Sequence, residues 1–380
     1  MNRVDQYLAH KLEQRKLEGN LRKLTTHKEA VDLFSNDYLG IATSGLLNST
    51  HDRGITGNSQ YSGSTGSRLL SGNSSAAEAL EKEIARFHHG RAALLFNSGY
   101  DANAGLLSSI PSRNTTILSD ELCHASIIDG IRLSQCSRKY KFDHNDLSDL
   151  EEKLKKFANT GPTLVIAESV YSMDGDMAPL CEMTTLCETY NAQLIIDEAH
   201  ATGVFGKHGE GLVSALGLQS KVFARVHTFG KALGCHGAAV VGGELLKQYL
   251  INFARSFIYT TALPGHTLHN IHNAYQHLAA GTFTNEPLHK LITHFRQCVK
   301  ASGNNDWKDS LSPIQALVMG NNDKATQTAA ALQHAGLQVK PILSPAVPHG
   351  MERLRVCLHT FNTKEQIDLL FKTLTAAIHI

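Results

Sequence analysis

What the chain lacks narrows its class. Its seven cysteines include no CxxC pair, and an odd count over 380 residues is no disulfide framework, so a reducing compartment is expected. No segment approaches the roughly 20 consecutive apolar residues of a membrane-spanning helix. The opening stretch, MNRVDQYLAHKLEQRKLEGNLRKL, is charged and helix-like, without an apolar run of signal-peptide type, which points to the cytoplasm. Lys and Arg number 36 against 35 Asp and Glu, a net charge of +1, so neither bulk nucleic-acid binding nor attachment to a membrane surface is supported. There are 21 histidines, but neither HExxH nor a Cys/His cluster at zinc spacing, and no metal site is expected. GxxxxGK[ST] is missing, which argues against a phosphate-loop NTPase, and Gly-x-Ser-x-Gly is missing, which argues against a serine hydrolase. Repeats and low-complexity tracts are absent too.

What is present is an apolar content of 42% and a regular alternation of short apolar bursts with helical periods. Residues 3–24 read as an amphipathic helix and 30–34 as a short strand. A Gly/Ser-rich stretch, 54–75, leads into a helix over 76–88. Strands are expected at 92–96, 115–119, 163–168, 193–197, 222–227 and 238–242, with helices at 102–110 and 126–134. Segments such as TLVIAE and QLIID are β-branched and apolar throughout, as strands buried on both faces must be. The pattern predicts an α/β fold with a doubly wound, mostly parallel sheet. Beyond residue 280 the texture shifts to helices at 325–335 and 364–378 flanking strands near 314–318 and 354–358, a smaller C-terminal α/β lobe. The expected division is an N-terminal segment 1–45, a large domain 46–280 and a small domain 281–380.

In open parallel sheets ligands bind beyond the carboxyl ends of the strands. The polar residues that follow each burst are Asn97 to Tyr100, His124, Glu168 and Ser169, Asp197 to His200, and Thr228 with Lys231. Taken singly, Asp197 is a cap or an ion-pair member, His200 a core histidine, and His124 an ordinary residue at a helix start. Taken together they suit pyridoxal phosphate. In HTFGKALGCHGAA, Lys231 lies between glycines with little charge nearby in sequence, the setting for a nucleophilic amine that forms a Schiff base. Gly230 and Gly234 are read as leaving room for the ring and phosphate. Asp197 would keep the pyridine nitrogen protonated. The start of the helix after Ser98-Gly99-Tyr100 would hold a phosphate dianion on backbone N–H groups.

The motifs SNDYLG (35–40), FNSGYDAN (96–103), HASIIDG (124–130), ESVYSMDGDMAPL (168–180), DEAHATGVFGKHGEG (197–211), HTFGKALG (227–234) and RSFIYTTALP (255–264) run in order. In that order they resemble the α-oxoamine synthases among the fold-type I pyridoxal-phosphate enzymes, along nearly the whole chain. The resemblance implies a homodimer with shared active sites and the decarboxylative condensation of an amino acid with an acyl thioester of coenzyme A or a carrier protein. It implies Lys231 as the Schiff-base lysine, Asp197 at the pyridine nitrogen, His124 stacked on the ring and His200 at the ring hydroxyl. Ser172 and Thr228 would lie at the cofactor, Gly99 and Tyr100 would supply phosphate contacts, and Thr261 would reach the phosphate from the partner subunit. Arg355 resembles the arginine that holds the amino-acid carboxylate, with Asn36 assisting across the interface. Arg22, or in its place Arg15, resembles a substrate-side arginine. Two positions depart from the pattern: Ala346 stands where a threonine contacts substrate, and Ala76-Ala77 stand where a histidine is common. The wording around Lys231 favours the member that joins L-alanine to a pimeloyl thioester in biotin synthesis. The 2-amino-3-ketobutyrate ligase, serine palmitoyltransferase and a pyridoxal-phosphate aminotransferase are the alternatives.

Overall fold

The computed structural model describes residues 1–24, 26, 30–48, 63–158 and 160–378, so the Gly/Ser-rich stretch is outside the described residues up to position 62. The chain divides into two compact units, Asn36–Ser172 with Met177–Pro287, and Met1–Ser35 with Met173–Asp176 and Leu288–Ile380. Among the described residues no helix is long and apolar enough to cross a membrane.

The larger unit is built on a seven-stranded sheet. Its strands lie in the order Ala92–Phe96, Ala238–Gly242, Ala224–Thr228, Gln193–Asp197, Thr163–Glu168, Thr116–Asp120 and Arg138–Phe142. Ala238–Gly242 runs antiparallel to both neighbours and the other pairings are parallel, so the sheet is mostly parallel as expected. Both faces are covered. Ile166 and Ile195 join one apolar cluster with Leu106 and Ile127, while Val165, Ala167, Leu194 and Ile196 join another with Leu150 and Met183. Successive side chains point to opposite faces, so two cores require an unbroken apolar run. Each fully buried aliphatic side chain contributes about 1.5–3 kcal/mol.

The edge strand Arg138–Phe142 escapes a search for apolar bursts because its sequence is RKYKF. Charged residues are how an edge discourages further pairing. Two shifts of helix boundaries matter for the site. The helix expected from residue 102 begins at Gly99, because the Ser98 hydroxyl accepts the Asp101 N–H at 3.1 Å and caps it. The helix expected from 126 begins at Ala125 with His124 as its N-cap.

The smaller unit has an antiparallel three-stranded sheet, Lys340–Ile342, Arg353–Cys357 and Ile314–Val318, with helices Asn322–His334 and Lys364–Ile378. The sequence reading omits the helix Glu286–Ser302, whose buried Leu288, Leu291, Ile292, Phe295 and Val299 recur at helical spacing. The first helix is shorter than expected: it stops at Leu17, and none of its residues is buried. The strand expected over 30–34 contracts to Val31–Asp32, paired with Leu337–Gln338.

Candidate active site

A cavity with about 230 Å³ of enclosed space opens at the carboxyl ends of the parallel strands in the larger unit. Gly99, Tyr100, His124, Asp197, His200, Thr228 and Lys231 all line it. The sheet brings them together from four strands. Gly99 and Tyr100 open the helix after Ala92–Phe96, and His124 caps the helix after Thr116–Asp120. Asp197 and His200 end and follow Gln193–Asp197, and Thr228 and Lys231 end and follow Ala224–Thr228.

Asp197 is the last residue of its strand and is buried. Its Oδ1 accepts the Ala199 N–H at 2.8 Å, and its Oδ2 accepts from Asn103 Nδ2 at 2.7 Å. The same Asn103 amide donates to Ser126 Oγ at 3.0 Å, and Ser126 Oγ lies 2.8 Å from His124 Nδ1. The Ser126 N–H also donates to that nitrogen, so Nδ1 is the acceptor and the second ring nitrogen carries the proton. Burial holds the His124 pKa below its usual value, the Lys231 charge adds to this, and Asp197 opposes it. His124 is therefore both a helix cap and a wall of the cavity.

Lys231 Nζ lies 2.7 Å from His200 Nε2. The other ring nitrogen of His200 lies 2.7 Å from the Tyr38 hydroxyl, which donates to Asn36 Oδ1 at 3.0 Å. With its proton on Asn36, the phenol oxygen accepts from His200 Nδ1–H, and Nε2 presents a lone pair to the lysine. Glu168 closes the wall: it is buried, and its Oε1 accepts the His124 N–H at 2.6 Å. Burial pushes its carboxyl pKa up to about 8, with the Asp197 charge adding to the rise. The isolation of Lys231 in sequence is thus not isolation in space, since the buried Glu168 and His124 both feel its charge together with that of Asp197.

The glycines of HTFGKALG divide. Gly230 lines the cavity, as expected. Gly234 does not: it adopts φ +63°, and a Cβ there would meet the Ala42 backbone nitrogen at 2.4 Å, so it serves a tight turn and a close chain approach. Gly99 sits against Thr228, where a Cβ would come within 2.4 Å of the threonine methyl. The first-turn N–H groups of Gly99 and Tyr100 have no intrahelical acceptor, and the helix dipole points its positive end the same way. A phosphate dianion fits this corner, and an aldehyde ring with a basic nitrogen fits between Lys231, His200, His124 and Asp197.

The remaining expected site residues lie elsewhere. Asn36 reaches the cavity through Tyr38. Thr261 lines a separate cavity with Arg68, Asn97 and Thr260, where Asn97 Nδ2 donates to its carbonyl at 2.9 Å. Ser172 closes the first segment of the larger unit. Arg15, Arg22, Ala346 and Arg355 belong to the smaller unit. There Arg15 is half-buried on the first helix, while Arg22 and Ala346 are exposed. Arg355 is half-buried, with Nη1 3.0 Å from Cys357 Sγ. Ala77 is buried in the first turn of its helix. Sequence reasoning missed Tyr38, Asn103 and Ser126, although each lies inside a motif it used: SNDYLG, FNSGYDAN and HASIIDG.

A family model described as aminotransferase class I and II matches residues 28–374. The 8-amino-7-oxononanoate synthase of Emericella nidulans is 43% identical, over 93% of this chain and 90% of its own length. That of Lysinibacillus sphaericus is 38% identical over 93% and 90%. Among solved structures, serine palmitoyltransferase from S. paucimobilis with a bound PLP–myriocin aldimine has a TM-score of 0.88 at 26% identity, covering 100% of this chain and 99% of that one. The 8-amino-7-oxononanoate synthase of Francisella tularensis has a TM-score of 0.77 at 30% identity, covering 92% and 98%.

Proposed function

This chain belongs to the aminotransferase class I and II family, within it to the α-oxoamine synthases, and we infer that it is a pyridoxal-phosphate-dependent C-acyltransferase of biotin synthesis. It condenses L-alanine with a pimeloyl thioester, releasing 8-amino-7-oxononanoate, carbon dioxide and the thiol. The observation that carries this reading is identity of 36–43% along nearly the full length of several proteins of that name. Shape alone favours a second member, since the palmitoyltransferase superposes at the higher TM-score. It shares only 26% of its residues, and substrate choice resides in side chains.

Pyridoxal 5'-phosphate, when bound, supplies an electron sink for the carbanion formed at the amino acid's Cα. Lys231 would hold it covalently at rest, and its Nζ would take the Cα proton and return it to product. His200 Nε2, already 2.7 Å from Lys231 Nζ, would orient that amine and contact the ring hydroxyl. Asp197 would hold the proton on the pyridine nitrogen, itself fixed by Asn103 and the Ala199 N–H. His124 would cover the ring face. Gly99, Tyr100 and Thr228 would hold the phosphate, with Ser172 beside the ring. Arg355 would grip the amino-acid carboxylate with help from Asn36, fixing which Cα bond stands perpendicular to the ring. Arg22, or Arg15 in its place, and the segment at Ala346 would face the substrate. A panel of glycine, alanine and serine against acetyl, succinyl, pimeloyl and palmitoyl thioesters tests the reading. Alanine with pimeloyl should release thiol and carbon dioxide fastest; a keto acid formed without carbon dioxide would indicate an aminotransferase.

The assembly proposed is a homodimer in the cytoplasm. Thr261 lines a cavity other than that of Lys231, which suits service to a second copy's site. Mixing Lys231→Ala with Thr261→Ala subunits should then restore one intact site per hybrid. No recovery would place Thr261 at its own subunit's site.

A further inference from the structure

Three donor atoms converge in the smaller unit, none of them on a residue given a role in the proposed reaction. His294 Nε2 lies 2.8 Å from Asp368 Oδ1, and Cys298 Sγ lies 3.7 Å from each of them. Ligands about 2.0–2.3 Å from a tetrahedral zinc ion stand roughly 3.3–3.7 Å apart, so the triangle needs only a few tenths of an ångström of adjustment. We propose that His294, Cys298 and Asp368 form a binding site for a zinc-like divalent ion, with water in the fourth position.

The scaffold sets the triangle. His294 and Cys298 are four residues apart on the helix Glu286–Ser302, which stacks them on one face. Asp368 comes from the helix Lys364–Ile378. The spacing of the two helices is fixed beneath the site by Phe295 and Phe371, whose rings meet edge to face at 5.0 Å. The donors therefore sit on rigid elements, close enough to share an ion with little reorganisation. Glu365, one turn before Asp368, adds a second carboxylate whose charge interacts with both His294 and Asp368. His294 and Cys298 are half-buried and Asp368 is exposed, which shelters the thiol and leaves an entry path. An imidazole, a thiol and a carboxylate suit zinc and its transition-metal neighbours, whereas magnesium and calcium favour all-oxygen sites. A search for HExxH and CxxC misses such a set because its third ligand is 70 residues from Cys298.

The test uses the full-length holoenzyme, stripped of metal by chelator and kept in a non-thiol reductant. One equivalent of zinc should survive gel filtration, and cobalt in its place should give a thiolate charge-transfer band. Cys298→Ala should abolish the band, and Asp368→Asn should weaken zinc binding about tenfold or more. The twenty other histidines make weak zinc uptake elsewhere a real competitor, which the variants separate. A band that persists in Cys298→Ala, or a wild type that retains no zinc, would overturn the proposal.

Discussion

The larger unit holds two histidine–tyrosine pairs that share one contact, a phenol on a ring nitrogen, and do different work. At the cavity, His200 has the Tyr38 hydroxyl on one ring nitrogen and Lys231 on the other. Behind the sheet ends, His88 has the Tyr275 hydroxyl on one nitrogen at 2.8 Å and the Glu210 carbonyl on the other at 2.8 Å. The carbonyl can only accept, so His88 Nδ1 carries the proton and Nε2 receives the phenol's. Every bonding position of the second ring is committed to the protein, and burial holds its pKa down to about 3. The same division runs through consecutive residues. Asp197 and Thr228 face the cavity, whereas their neighbours Glu198 and His227 are wholly buried, with His227 stacked on His88 at 3.6 Å between ring centroids. Strand parity decides which member of each pair can reach a ligand.

The first way to break the comparison is at its reactive end. Lys231→Ala should lower turnover by about 10⁴-fold or more, since one amine serves as both covalent anchor and proton carrier. Borohydride should then fix no cofactor to the chain; fixation that survives would move the anchor to another lysine. Asp197→Asn should follow, with a loss of roughly 10²–10³ in kcat while cofactor is retained. If Glu198→Gln costs as much turnover as Asp197→Asn, the division by strand parity fails.

Glu198 offers the next test, in stability rather than rate. Burial pushes its pKa from 4.5 to about 7, with Arg225 opposing the rise. A raised carboxyl binds its proton more tightly folded than unfolded, so its contribution is full below pH 4.5 and is lost as pH climbs through 7. Glutamine mimics the protonated form at every pH. The melting temperatures of wild type and Glu198→Gln should therefore agree near pH 5, and the variant should be the more stable above pH 7, by up to roughly 3 kcal/mol. A difference that runs the other way would mean that Glu198 is ionised in the fold.

Parity and apolar runs made the central strands legible: TLVIAE and QLIID fall on Thr163–Glu168 and Gln193–Asp197 without adjustment. The site was legible to the extent that it lies at strand ends, so Asp197, His124, Thr228 and Lys231 could be collected before any geometry. What could not be read were contacts between distant segments. Nothing in SNDYLG announces that Tyr38 will meet His200, 162 residues later. Nor does FNSGYDAN announce that Asn103 will join Asp197 to Ser126. Arg138–Phe142 was lost because an edge strand can be charged, whereas Glu286–Ser302 did carry a readable helical period in Leu288, Leu291, Ile292, Phe295 and Val299.

The smallest effect is the sharpest test of the two pairs. Tyr275→Phe deletes one hydroxyl and leaves a buried lone pair on His88 unmatched, which costs about 1–3 kcal/mol of stability. It should lower the melting temperature and leave kcat and its pH profile in place. Tyr38→Phe deletes the same group from the other pair. Here the freed nitrogen is His200 Nδ1, whose proton decides whether Nε2 offers Lys231 a lone pair or a competing hydrogen. Loss of that constraint should reduce kcat about tenfold, equivalent to one ordinary hydrogen bond. It should also move the pH profile, because the ring can then adopt either tautomer as Lys231 changes charge. Nitrogen-15 shifts of the histidines in the cofactor-free protein report the tautomer directly and need no turnover. Should both phenylalanine variants lose stability alike and keep the same pH profile, Tyr38 would be a core residue like Tyr275, and the cavity pair would lose its distinct role.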